Sequence, residues 1–547
     1  MRNWGLTVLF LAFACPAQVV LDSSNLPIMI IDTHGQTIEN TPRIIADMKV
    51  IDNLIFDTNY VNDSLHYNFK GKVSIEIRGS SSQMFPKKAY SFETKTEDSL
   101  TTDVSLLGMP ADNDWVLYAS YNDKTLMRNF LSMHLMQEMG TYAPRCRYCE
   151  LIINGEYQGV YLLMEKIKRG KHRVNVESLD MDDIAGDSLT GGYIIKIDKT
   201  TGDNSQGWFS HYAVNDGMSL LFYQYHYPEY EEMHPAQRAY IKSFIDTFET
   251  IMKSASYNDS ATGYIPLIDT TSFAHHVLIS ELSRNLDAYR LSTFLYKRRN
   301  SKGGKLYAGP LWDYDLAYGM PDYCNASSFQ GWEIETSSDC GWKNPFWWTK
   351  LFRDVKFHNL LVRHWQKHRQ TVLSYAHIEH VIDSVALLLK DPQARNFQRW
   401  PVLGTYVWPN AYIGNTYEEE ITYMKNWIKN RLQWMDQNLL LLPDTAKPPK
   451  PPVDTTPAMI STAHDKINIY PNPFRDYLCI EGTAQDMPLA VEVSDVSGKI
   501  YSQQLSSSLF HSWNGISVDG SQLPAGMYFV KVVSPRKTIV FKVIRTE

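Results

Sequence analysis

Residues 284–319 read RNLDAYRLSTFLYKRRNSKGGKLYAGPLWDYDLAYG and set three carboxylates, Asp287, Asp313 and Asp315, around one tight hairpin. The run 291–298 is rich in β-branched and aromatic residues and predicts a strand. Asn300-Ser301-Lys302-Gly303-Gly304 predicts the turn, and 305–312 the returning strand. Such a hairpin brings Asp287, just before it, and Asp313, just after it, to the same end. Two carboxylates held there can bind a divalent cation and accept a proton, the two tasks that phosphoryl transfer requires.

Outward from the hairpin, the front of the chain reads as strands and the back as helices. Strand-like runs fall within 25–95, with Val73, Ile75 and Ile77 alternating. A helix is expected over 123–139, capped by Asn122 and ended by Gly140. Asn154-Gly155 predicts a two-residue hairpin turn between CELIING and EYQGVYLLMEKI. TGGYIIKID and SLLFYQY add strands. After Pro235 the apolar period becomes helical, with Ile241, Phe244, Ile245, Phe248 and Met252 on one face. A helix over 272–284 leads into the hairpin, and 346–441 is mostly helical. The fold class is therefore α+β.

The chain of 547 residues has room for two or three domains. Its net charge of −7 supplies no basic excess for a nucleic-acid partner. No apolar run is long enough to predict a membrane span. The 33 Tyr and 14 Trp suit large mixed cores and equally carbohydrate-contacting surfaces. Arg2, the apolar run 4–14 and Cys15-Pro16-Ala17 predict a signal peptide over 1–17. A lipoprotein signal using Cys15 is the alternative, which Phe13 before Ala14 fits poorly. In an exported protein Cys146 with Cys149, and Cys324 with Cys340, are plausible disulfide pairs, and free thiols are the other option. Two thiolates alone do not fill a tetrahedral zinc site. Cys479 reads as a small buried hydrophobe.

Residues 443–462 form a Pro-rich linker, PDTAKPPKPPVDTTP at its core. Short, evenly spaced strand-like runs over 463–547 predict a small all-β sandwich. This tail resembles the C-terminal sorting domain of type IX secretion cargo. The matching residues are Tyr470-Pro471-Asn472-Pro473, Asp495-Val496-Ser497-Gly498-Lys499, Leu523-Pro524-Ala525-Gly526-Met527-Tyr528 and the basic last strand ending at Arg545. The resemblance implies the type IX secretion machinery as a partner, export across both membranes, and release or surface attachment.

Five features of the main domain form a set: Arg78-Gly79-Ser80-Ser81-Ser82 with Pro86-Lys87-Lys88; Asp123 to Asn129; the segment ending Met164-Glu165-Lys166; Asn285-Leu286-Asp287; and Trp312-Asp313-Tyr314-Asp315. Taken singly, each has an ordinary structural reading, such as a flexible loop or a buried strand. In this order they resemble the CotH-type spore-coat kinase family over about 70–320, with RGSSS, GGYIIKID, NLDAY and GPLWDYD among the matched blocks. The resemblance implies an atypical protein-kinase-like fold that transfers phosphate from ATP to proteins. It also implies roles. Arg78, Ser80 and Ser81 would cover the nucleotide phosphates, with Lys88 pairing with them in preference to Lys87. Glu165 would lie in the hinge near adenine. Asp287 would take the proton of the substrate hydroxyl. Asp313, Asp315 and Asn285 would hold Mg²⁺ or Mn²⁺. Kinases carry Asn five residues after the catalytic Asp, where this chain has Ser292, and Glu138 comes too late in its helix to be assigned to the lysine. The implied function is an exported kinase acting on Ser or Thr of surface or secreted proteins; a catalytically weak surface-adhesion module is the alternative. A minor third reading, a carbohydrate-active enzyme using Glu333, Glu335 or Asp339, lacks any spacing signal. His275-His276 reads as one buried and one exposed histidine rather than a metal site.

Overall fold

The computed structural model describes residues 19–54, 58–200, 206–212, 221–335 and 343–443, and then 468–470, 474, 477–481, 490–495, 499–505, 516–521, 523–533 and 538–546. The expected signal peptide over 1–17 and the linker from 444 onward lie outside these residues. The chain divides into two compact units, 1–446 and 447–547.

Unit 1 opens with β1 (Ser23–Ser24), β2 (Ile28–Asp32), β3 (Ile44–Ile51), β4 (Asn59–Tyr60), β5 (Tyr67–Arg78), β6 (Ala89–Lys95), β7 (Asp114–Tyr118), α1 (Arg128–Glu138), β8 (Cys146–Ile153) and β9 (Glu156–Glu165). β1 pairs with β4, and the other seven strands close a barrel in the order β2-β3-β5-β6-β7-β9-β8. All neighbours are antiparallel except β2 and β8, which run parallel and form the seam. Strand alternation fills the barrel: Met29, Ile31, Val73, Ile75, Phe92, Trp115, Leu151 and Leu163 share one core. β8 and β9 also bury their outer face, where Cys146, Tyr148, Val160, Leu162 and Met164 join the helical core. The β8–β9 turn is built as its sequence predicts, with Asn154 at φ 51 and Gly155 at φ 79.

Next come α2 (Gly186–Leu189), β10 (Tyr193–Ile197), β11 (Gly207–Phe209), β12 (Phe222–Tyr227), α3 (Pro235–Lys253), α4 (Thr270–Ser283), β13 (Thr293–Lys297) and β14 (Leu306–Ala308). Five of these strands form an antiparallel sheet, β11-β12-β10-β13-β14. Then follow α5 (Phe346–Arg353), α6 (Val355–Arg369), α7 (Tyr375–Leu388), α8 (Lys390–Arg399) and α9 (Tyr417–Asn438). α4 is the central helix. Every residue from Ser272 to Ser283 is buried, so it needs no polar face. His275 and His276 are accordingly both buried, which corrects the expected split of one inside and one out.

One further expectation is corrected, and one open choice, between paired and free cysteines, is decided. The helix begins at Arg128, not at 123, and Asn122 does not cap it. Asp123 instead folds the preceding loop by accepting from the Thr125 and Arg128 amides, and Leu126 takes φ 60. Cys146 and Cys149 are free and buried rather than paired. Three residues apart on one strand, they face opposite sides, Cys146 towards the helices and Cys149 into the barrel. Cys324 is disulfide-bonded, and its expected partner Cys340 lies outside the described residues.

Unit 2 holds β15 (Asn468–Tyr470), β16 (Tyr477–Glu481), β17 (Ala490–Asp495), β18 (Ile500–Leu505), β19 (Ile516–Asp519), β20 (Gly526–Val533) and β21 (Thr538–Arg545). They make a three-stranded sheet, β15-β16-β19, and a four-stranded one, β18-β17-β20-β21. Leu478, Ile480 and Val518 of the first share a core with Val491, Val493, Val530, Val532 and Val543 of the second.

Candidate functional site

The hairpin forms as read. β13 and β14 pair with Tyr296 opposite Tyr307, and a short 3₁₀ turn, Asn300–Lys302, joins them. α4 feeds the hairpin directly. Arg284 ends α4 in a left-handed conformation, φ 47, and turns the chain into Asn285-Leu286-Asp287. The Leu286 amide donates to Leu316 O at 3.1 Å, tying this segment to the one that carries Asp313 and Asp315. That second segment is clamped from three sides. The Tyr314 amide donates to Asn129 Oδ1 of α1 at 2.7 Å, the Tyr314 and Ser280 hydroxyls lie 2.8 Å apart, and Arg128 Nε donates to Ala317 O.

The three acids of the hairpin are half-buried and share one electrostatic environment. Burial pushes Asp287 up to about 6, with the charges of Asp313 and Asp198 adding to it and those of Arg290 and Lys199 opposing. Burial likewise raises Asp313, while Arg78, Ser292 and Lys196 hold it down. Asp315 goes up to about 7, through burial and then the Asp313 charge. Ser292 Oγ donates to Asp313 Oδ2 at 2.9 Å, Asn285 Nδ2 donates to Asp313 O at 3.2 Å, and Asn122 Nδ2 reaches Asp315 Oδ2 at 3.4 Å. Ser292 (φ 47) and Asp313 (φ 56) both hold left-handed backbone, which costs about 1–3 kcal/mol per residue and persists only where packing imposes it.

The other expected residues are placed as follows. Arg78 ends β5, lies 5.1 Å over the Trp312 ring and acts on Asp313. Ser80 and Ser81 are exposed in the loop that follows, where Gly79 at φ 104 lets Ser82 fold back. The expectation that Lys88 faces inward and Lys87 does not is reversed. Strand β6 starts only at Ala89, so alternation does not govern the pair. Lys87 is the buried one, donating to Val160 O at 2.5 Å and Asn396 Oδ1 at 2.9 Å. Lys88 Nζ donates to Gln83 O of its own loop at 2.6 Å. Glu165 ends β9 with its carboxylate fully engaged by Tyr142, Arg145 and Arg173. Its backbone N–H is taken as well, donating to Arg145 O at 3.1 Å. Glu138 pairs with His377 at 2.7 Å, Glu333 lies beside Arg284 and Arg290, and Glu335 pairs with Arg353.

Sequence reasoning missed four contributors: Lys196, Asp198, Lys199 and Asn122. β10 carries Lys196, and Asp198 and Lys199 follow directly after its end; Lys196 Nζ lies 3.2 Å from Asp198 Oδ2. The signal for Lys196 and Asp198 was GGYIIKID, whose polar end sits where a strand enters a loop. The donor set is all oxygen, the chemistry that suits Mg²⁺ or Mn²⁺. Among the described residues no three of these acids bring oxygens within 4.8 Å of one another. A cation here would thus take one or two carboxylates and fill its shell with water or ligand oxygens, the usual habit of Mg²⁺.

Barrel, central helix and acid-bearing hairpin together define an α+β protein with an oxygen-lined anionic site. Residues 75–435 match the family described as CotH kinase protein. That span is well over half of the chain, and the protein belongs to this family. The match runs past 320, taking in the helical back as well. Inner spore coat protein H of Bacillus subtilis (strain 168) is 28% identical over 150 residues, which cover 27% of this chain and 35% of that protein. The aligned part thus spans about a third of that relative's length. Residues 468–546 match the secretion system C-terminal sorting domain, which implies handling by type IX secretion machinery and delivery outside the cell or to its surface. No helix among the described residues is long and apolar enough to cross a membrane.

Proposed function

We propose that the protein is an exported kinase that transfers the γ-phosphate of ATP to Ser or Thr hydroxyls of surface or secreted proteins. One observation carries this reading: Asp287 and Asp313 flank a single hairpin, with the Asp313 charge acting on Asp287 and Arg78, at the end of β5, acting on Asp313. Asp287 accepts the proton of the attacking hydroxyl. Asp313, with Asp315 and Asn285, holds Mg²⁺ or Mn²⁺, and Ser292 fixes the Asp313 carboxylate. Arg78 and the amides at Ser80 and Ser81 hold phosphate oxygens. Lys196, already beside the acids, adds the positive charge that the family resemblance gave to Lys88. Metal-bound ATP supplies the transferable phosphoryl group and neutralises the acids that otherwise repel one another. In this reading the barrel and the helical part are the two halves of a kinase-like arrangement, and 463–547 is a small sandwich serving export.

The test is incubation with labelled ATP, Mg²⁺ or Mn²⁺, and a generic protein substrate. Incorporation by the wild type that both Asp287→Asn and Asp313→Asn abolish supports the reading. Absence of nucleotide binding in the wild type sinks it and favours a surface-adhesion role.

A further inference from the structure

We propose that His275, His364 and His368 form a binding site for a zinc-class transition-metal ion, built from different residues than the acid cluster. α4 supplies His275. α6 supplies the other two, four residues apart and therefore on one face of the helix. One ring nitrogen of each lies within 4.8 Å of the other two, the one such trio of His, Cys, Asp or Glu among the described residues.

The details fit a metal better than ordinary core packing. His275 Nδ1 is 2.7 Å from Thr141 Oγ1, and that contact fixes the ring so that Nε2 faces His364 Nδ1, 3.0 Å away. This is the arrangement of a ligating imidazole whose second nitrogen is held by an outer partner. His368 is buried, and its Nε2 has no hydrogen-bond partner. Such an unsatisfied group costs about 1–3 kcal/mol, which ligation would remove. Three imidazoles with a fourth position open to water suit Zn²⁺, with metal–nitrogen bonds of about 2.0–2.1 Å, and do not suit Mg²⁺ or Ca²⁺. His364 is half-buried and gives an ion its way in, and the neighbouring cations Arg363 and Lys367 are exposed to solvent. A bound ion would tie α6 to the helix that leads into Asp287.

The experiment uses the full chain stripped with a chelator, titrated with Zn²⁺ by calorimetry and with Co²⁺ by visible absorption. The expected result is one tight Zn²⁺ per chain and the intense visible bands of four-coordinate cobalt. His364→Gln and His368→Gln should each weaken binding at least about 100-fold, and Thr141→Val about 10- to 100-fold. Asp313→Asn should leave the affinity unchanged. Because His364 is half-buried, His364→Gln should keep the metal-free circular dichroism and melting temperature of the wild type while losing the rise in melting temperature that Zn²⁺ gives. Zinc-edge X-ray absorption of the wild type should show imidazole neighbours, a reading that needs no variant to fold. No stoichiometric binding, an all-oxygen shell, or undiminished affinity in His364→Gln overturns the proposal.

Discussion

Lys87 and Lys88 are adjacent in sequence and opposite in circumstance. Burial pushes the Lys87 ammonium down to about 7 from 10.5. Between those values the unfolded chain holds a proton that the folded chain has released, so this residue makes stability rise with pH across that window. Lys87→Met should flatten the rise by about 3–4 kcal/mol, read as urea-unfolding free energies near pH 7 and near pH 10. Lys196→Ala should weaken ATP binding about tenfold and Lys88→Ala by less, measured by calorimetry, because only Lys196 stands beside the acids. The acids themselves were legible from their types and spacing. The lysine was not, because alternation gives the side a residue faces only inside a strand, and here the strand starts one residue after Lys88.

The turns that glycine and asparagine announce were readable at the level of elements. Asn154-Gly155 and Gly303-Gly304 both take left-handed backbone where the sequence puts them. Gly155→Val should therefore destabilise the β8–β9 hairpin by about 1–2 kcal/mol in chemical denaturation. Ser292 and Asp313 adopt the same conformation with nothing in their residue types to announce it, and the start of α1 was misplaced because Asp123 draws the amides of Thr125 and Arg128 onto itself. Long-range partners were also invisible. Glu281 of α4 receives the Glu333 and Ile334 amides and pairs with Arg431 of α9 at 3.0 Å, all fully buried. Arg431→Met should cost about 3–5 kcal/mol, because it strands a buried carboxylate. Adding Glu281→Gln should recover part of that loss, a coupling that a double-mutant cycle measures.

Across the whole molecule, the α+β class and the β-rich tail were legible, whereas barrel closure was not, since sequence periodicity gives the face of a strand and not its neighbour. Each unit carries a hydrophobic core of its own, drawn from Val19 to Leu439 in unit 1 and from Ile469 to Val543 in unit 2. A chain ending at 443 should therefore keep the melting temperature of the longer protein's first unit in calorimetry, while failing to appear outside the cell. The parallel seam between β2 and β8 also orders events in time. A ribosome or a translocation channel releases the amino end first, and Ile28–Asp32 then has no partner on that side until Cys146–Ile153 has followed. Long-range closure of this kind is slow, so the barrel stays open at least until Ile153 has emerged.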